Sequence, residues 1–204
     1  MRFCMCPCRA HRELAEEWEE VAAVDPGKGL DATWLGQFPL SAKGRYIVNR
    51  HGKRFRLTGV NWYGASDCHH VVGGLNVQRL EVICETVWSL GFSVVRLPFS
   101  NEMLRSPAAV GAIDLALNPE LRGLSAIEVL DEVVRCLGRH QVAVILNNHT
   151  TYGEWCGGPD RNGLWLDPGS DIYTETQWIE DWAMLAARYA RCPHVVGYDL
   201  RNEV

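Results

Sequence analysis

Four polar residues stand at the ends of apolar runs: Arg96 after 93–95, His149 after 142–146, and the pair Asn202 and Glu203 after 195–198. An earlier run, 57–60, ends in Asn61 and Trp62. A carboxylic acid, an amide, a histidine and an arginine brought to one place suit acid/base chemistry on a neutral polyol. Hydrolysis of a glycosidic bond needs two carboxyl groups flanking that bond, one of them protonated to assist the departing oxygen. Glu203 is the candidate for that proton. Asn202 beside it is placed to hydrogen-bond a sugar 2-hydroxyl, a contact that strengthens in the transition state. Arg96 interrupts an apolar strand, where an unpaired charge is costly, so it requires a carboxylate partner; a purely structural ion pair is the competing reading. His149 either lines the cleft or satisfies backbone groups, and Asn61 and Trp62 either pack the first strand or face the substrate. In the second case the Trp62 ring offers a surface for sugar stacking.

The elements that must position these residues alternate. After a hairpin predicted over 45–57, with its turn at Gly52, comes a strand over 57–62. A helix follows with Asn76 as N-cap, an apolar face of Val77, Leu80, Ile83, Cys84, Val87 and Leu90, and Gly91 as stop. The next strand, 93–98, is apolar throughout, as burial on both faces requires. Ser125 and Glu128 form a capping box that opens a second helix, with Gly138 past its end. A strand over 142–146 runs into Asn147, Asn148 and His149. Thr174 and Gln177 form another capping box, before a helix lined by Trp178, Trp182, Leu185 and Tyr189. The fourth strand is 195–203. Strands separated by helices define an α/β pattern. No glycine-rich phosphate loop follows any strand, which counts against a doubly wound nucleotide-binding sheet. Polar residues at every strand end point instead to a (β/α)8 barrel, whose active site gathers at the C-terminal ends of its strands.

Four segments carry a resemblance to a known family. These are residues 52–62 (GKRFRLTGVNW), 91–99 (GFSVVRLPF), 144–149 (VILNNH) and 195–203 (VVGYDLRNE). In that order and spacing they resemble the first four strand ends of glycoside hydrolase family 5, the cellulase family of clan A. The resemblance covers roughly residues 35–204. It implies the first four β/α units of a (β/α)8 barrel, with residues 1–34 as a partly helical or disordered N-terminal extension. It also implies that Glu203 is the acid/base, that Arg96 supports the catalytic centre, that His149 lines the substrate cleft and that Asn202 assists. Trp155, Cys156, Gly157, Gly158, Asn162 and Gly163 are similar to the family's long third βα loop. The implied substrate is an oligo- or polysaccharide with β-linkages, or a β-glucoside. No cofactor and no metal are implied, and the full-length protein is expected to be a monomer. The family's nucleophilic glutamate, near the end of strand seven, has no counterpart in these 204 residues, so the chain is expected to be a truncated barrel. A carbohydrate-binding pseudoenzyme is the non-catalytic alternative. An aldolase or a metal-dependent hydrolase would need a Schiff-base lysine or a ligand cluster at the strand ends, and the four ends offer neither.

Composition agrees with a globular domain: 47% hydrophobic and 22% charged residues, with a net charge of −5. That charge, with no basic stripe, argues against nucleic acid as partner. No apolar stretch is long enough to span a bilayer. Family resemblance leads one to expect an extracellular protein, yet residues 1–14 make a poor signal peptide because charges interrupt any apolar core. Leu14, Trp18 and Val21 mark an acidic helix with one apolar stripe. Of eight cysteines, Cys4, Cys6 and Cys8 lie near His11 at spacings unlike the usual zinc pattern and read as a thiol-bearing tail. Cys68, His69 and His70 read as a loop over the cleft. Cys84 and Cys136 fall on apolar helix faces as buried thiols, while Cys68 and Cys156 lie in loops that can approach one another, and the sequence leaves their connectivity open. With one carboxylate of the required two, the 204-residue polypeptide is expected to give no turnover of a fluorogenic β-glycoside. Any turnover above the uncatalysed rate would overturn that expectation.

Overall fold

Strands β4 (Val94–Ser100) and β5 (Ala143–Thr150) are buried along nearly their whole length, the condition a continuous apolar run demands. In the computed structural model, which describes residues 23–25, 27–108, 111–155 and 164–204, they form the centre of a parallel sheet in the order β3-β4-β5-β6. Its outer members are β3 (Gly59–Asn61) and β6 (Val195–Asp199), shorter and more exposed. Every crossover steps to the next strand in the same direction. A doubly wound sheet reverses direction at a switch point; here the progression is that of a barrel wall.

The pleat divides side chains between two faces. Val95, Leu97, Phe99, Val144 and Leu146 enter the main core with residues of α3 and α4. Val94, Ala143 and Ile145 face the other way and pack with Trp34 and Phe38. Trp34 lies on a short helix, α1 (Ala32–Leu35), whose first turn is capped by the Asp31 carboxylate accepting from Trp34 N at 2.8 Å. Contacts with the core reach upstream of Leu35: Val24 is buried and its N–H donates to Arg188 O at 2.7 Å. Leu14, Trp18, Val21, Cys4, Cys6, Cys8 and His11 lie outside the described residues.

Several boundaries differ from the sequence prediction. The regular hairpin joins β1 (Ser41–Lys43) to β2 (Tyr46–Val48). Turn 49–53 also folds, but a single bridge, Val48 to Arg54, closes it. Helix α2 (Leu80–Ser89) begins after the predicted Asn76 cap because its start is set from a distance: Leu80 N donates to Asn118 Oδ1 at 2.7 Å. Val77 and Leu90 therefore fall outside the helix and are exposed. Ser125 N donates to Glu128 Oε2 at 2.8 Å in the predicted capping box of α3 (Ala126–Arg139). Gly138 is inside α3, not past it. A Cβ there would approach Nε2 of buried His194 to 2.8 Å, and that nitrogen is held by Val134 O, so close packing explains the glycine. Helix α4 (Glu175–Arg188) has half of its predicted box: Thr174 Oγ1 accepts from Gln177 N, while the Gln177 side chain donates to Asp181. Strand β5 takes in Asn147–Thr150, and β6 stops at Asp199, so Asn202 and Glu203 stand beyond it.

What holds that last segment is a buried polar network on the helix side of the sheet. Asn148 O accepts from Asn202 N at 3.0 Å. The Asn148 side-chain oxygen accepts from Arg201 Nη1 at 3.0 Å and from Trp178 Nε1 at 3.1 Å. Its amide nitrogen donates to Asn101 Oδ1 at 2.9 Å, Asn101 donates to Asp181 at 2.7 Å, and Asp181 pairs with Arg105. Asn101, Asn148, Asp181 and Arg201 are all buried. Removing one member leaves buried groups without partners, each costing about 1–3 kcal/mol. Asn148→Leu is accordingly expected to lower unfolding free energy by roughly 3–5 kcal/mol in urea denaturation; a loss below about 1 kcal/mol would show that the network does not hold β6.

Candidate active site

Arg96 lies on the concave face, directly opposite Asn61 of β3. Its Nε and Nη2 donate to Asp199 Oδ2 at 2.9 and 2.8 Å, Nη2 donates to Asn202 Oδ1 at 3.0 Å, and Nη1 to Asn61 Oδ1 at 3.3 Å. Three of the six predicted site residues thus meet at one guanidinium. Its carboxylate partner, Asp199, was not singled out from sequence, although Arg96 required one. The pattern that identifies it is the period of two in β6: Asp199 shares the face of Gly197, and Gly197 pairs with Ile145.

His149 lies on the same face of β5 and is 8% exposed. Its Nδ1 donates to Asn147 Oδ1 at 2.8 Å, which assigns the proton to Nδ1 and leaves Nε2 as an acceptor. Burial lowers its pKa below the ordinary 6.5, and the positive charge of Arg96 lowers it further. Glu203 and Asp199 oppose that shift. Tyr63 stands edge-on to the imidazole at 5.7 Å and packs on Trp155 at 4.7 Å.

Trp62 does not offer a stacking face. Its ring is buried in the main core and its indole N–H donates to Gly73 O at 2.8 Å. Gly64, at φ +128°, lets this loop close: a Cβ there would lie 2.4 Å from Gly73 N. The packing reading of Trp62 is the one the structure bears out, and the exposed aromatic near His149 is Trp155 instead. Cys156, Gly157, Gly158, Asn162 and Gly163 lie outside the described residues, and with them the pairing of Cys156 with Cys68. Asp67, Cys68 and His69 cluster at the surface, and Asp67 Oδ1 accepts from His69 Nδ1 at 2.8 Å.

Glu203 is exposed and takes φ +49°, in the left-handed region that non-glycine residues rarely adopt. Its neighbours fix where it sits: Arg201 is bonded to Asn148 and to Thr151 Oγ1, and Asn202 to Asn148 O and Arg96. A solvent-accessible carboxyl group next to a neutral imidazole and a fixed amide can give a proton to a ligand oxygen and take one from water.

Residues 48–204 match the model of the cellulase family, glycosyl hydrolase family 5. An endoglucanase of Paenibacillus polymyxa is 33% identical over 182 residues, covering 84% of this chain and 44% of that relative. The major extracellular endoglucanase of Xanthomonas campestris pv. campestris is 38% identical over 159 residues, covering 78% of this chain and 31% of the relative. The chain thus spans less than half the length of these curated relatives. In solved structures, the catalytic domain of the Xanthomonas enzyme superposes with a TM-score of 0.71 at 33% identity, over 80% of this chain and 45% of that one. A cellotetraose complex of an endocellulase from Pyrococcus horikoshii gives 0.69 at 29% identity, over 80% and 42%. The sheet described above is therefore the first part of an α/β barrel, and the chain belongs to glycosyl hydrolase family 5.

Proposed function

We propose that the four strand ends form the acid/base half of a retaining glycosidase site for a β-linked glucan, within a catalytic domain that starts near residue 35. Support comes above all from the fixing of Asn202 and Glu203 at the end of β6, by Asn148 on one side and Arg96 on the other. Glu203 protonates the departing glycosidic oxygen, then takes a proton from the water that releases the glycosyl-enzyme. Asn202 presents its amide to the 2-hydroxyl, where a hydrogen bond strengthens as positive charge grows on the sugar. Arg96 commits four of its five N–H donors to Asp199, Asn202 and Asn61, so its main task is to hold these acceptors in place. Neutral His149 accepts a sugar hydroxyl at Nε2. Trp155 and Tyr63 offer the aromatic surface that a pyranose ring stacks on. Retention requires a second carboxylate about 5–5.5 Å from the first, which the family resemblance assigns to strand seven.

The preference for a glucan follows from the relatives, which are named as endoglucanases and an endocellulase, the latter in complex with cellotetraose. A decisive test joins residues 1–204 to the second half of the Xanthomonas catalytic domain. The hybrid is expected to hydrolyse cellotetraose with retention of anomeric configuration. Glu203→Gln in that hybrid should lower kcat about 10²–10⁴-fold, whereas an unchanged rate would refute Glu203 as acid/base.

A further inference from the structure

Away from the strand ends, α2 and the end of α3 bring three metal-ligating side chains together. Glu81 lies on α2; Cys136 lies on α3 and His140 directly follows the last residue of that helix, one turn on from Cys136. Glu81 Oε1 is 2.8 Å from His140 Nε2, and Glu81 Oε2 is 3.3 Å from Cys136 Sγ. The ligand atoms of Glu81, Cys136 and His140 all lie within 4.8 Å of one another. Cys136 is free and fully buried.

We propose that Glu81, Cys136 and His140 form a site for a zinc-class divalent cation that ties α2 to α3. A thiol and an imidazole select a borderline-soft ion over calcium or magnesium, which take oxygen ligands. Three protein ligands leave a fourth position for water. Bonds of roughly 2.0–2.3 Å in a tetrahedron place neighbouring donors roughly 3.3–3.7 Å apart; the three ligand atoms already lie within 4.8 Å of one another, and the Glu81–His140 separation widens from 2.8 Å. Arg139 donates to Glu81 Oε2 at 2.8 Å and leaves Oε1 for the ion, the outer hydrogen bond that ligating carboxylates usually have.

The Cys136 thiolate and the Glu81 carboxylate balance the charge of the divalent ion. Thiolate ligation releases the thiol proton to solvent, so affinity rises with pH. The site is independent of the glycosidase reading, because none of its residues is at a strand end.

Cobalt(II) titration of the reduced full-length chain tests this, since tetrahedral thiolate coordination gives sulfur-to-cobalt charge-transfer and intense visible bands. Saturation at one ion per chain is expected, reversed by zinc and retained in the Cys4→Ser/Cys6→Ser/Cys8→Ser triple variant. Cys136→Ala should abolish the bands. His140→Ala, at the helix surface, should weaken binding and remove the zinc-dependent rise in Tm, which keeps the test valid if a core thiol variant fails to fold. Absence of bands in the parent chain would overturn the proposal. So would bands that survive His140→Ala unchanged, or that vanish in the N-terminal triple variant.

Discussion

A guanidinium on the concave face of a parallel sheet constrains everything around it. Arg96 on β4 reaches Asp199 on β6 across the intervening β5. In a flat sheet those two strands lie roughly 10 Å apart; the inward curvature of a barrel wall brings the side chains within hydrogen-bonding distance. The energy of the pair is modest, since both side chains are about a third exposed and such pairs contribute at most about 1 kcal/mol. Its value is geometric. Arg96 has donors enough to fix Asp199, Asn202 and Asn61 at once, and so it sets where three strand ends stand relative to one another.

The period of two along β5 explains how one short segment serves two purposes. Asn147 and His149 face the concave side, where Asn147 fixes the tautomer of His149. Asn148 between them faces the helices and anchors Arg201, Trp178 and Asn101. A slip of one residue in register would exchange these roles. The extensive pairing of β5 with β4, seven residue pairs long, is what prevents it. Position and chemistry are thus supplied from opposite sides of the same strand.

Much of this was legible in the sequence because it is local. Apolar runs ending in polar residues marked the strands, and His149 is near the end of β5; β4 runs four residues past Arg96, and β6 stops before Asn202 and Glu203. The buried state of Cys84 and Cys136 also followed from helix periodicity. What was not legible depends on contacts between distant segments. Asp199 is defined by Arg96, 103 positions earlier. The start of α2 is set by Asn118 rather than by its own flanking residues, and Gly138 is explained by His194. Trp62 next to Asn61 gave no sequence sign of which face it takes; the Gly64 turn and Gly73 carbonyl turn it into the core. The juxtaposition of α2 and α3 likewise brings Glu81 against Cys136 and His140, 55 and 59 positions later.

The electrostatics of the site depend on water. Asn61 and Glu203 are exposed, and Arg96 and Asp199 are only partly shielded, so the four strands by themselves present their charges in a high dielectric. Charge–charge interactions there are several-fold weaker than in a closed cleft. Acid/base catalysis of glycoside cleavage requires the opposite, a proton donor whose affinity responds strongly to a neighbouring charge. His149 already experiences such surroundings, because Tyr63 and the loop after β3 cover it and burial is the largest influence on its pKa. Glu203 is exposed. The scaffold fixes the position of its carboxyl group, and in the role proposed for it reactivity depends on what covers the concave side and on a second carboxylate within about 5.5 Å.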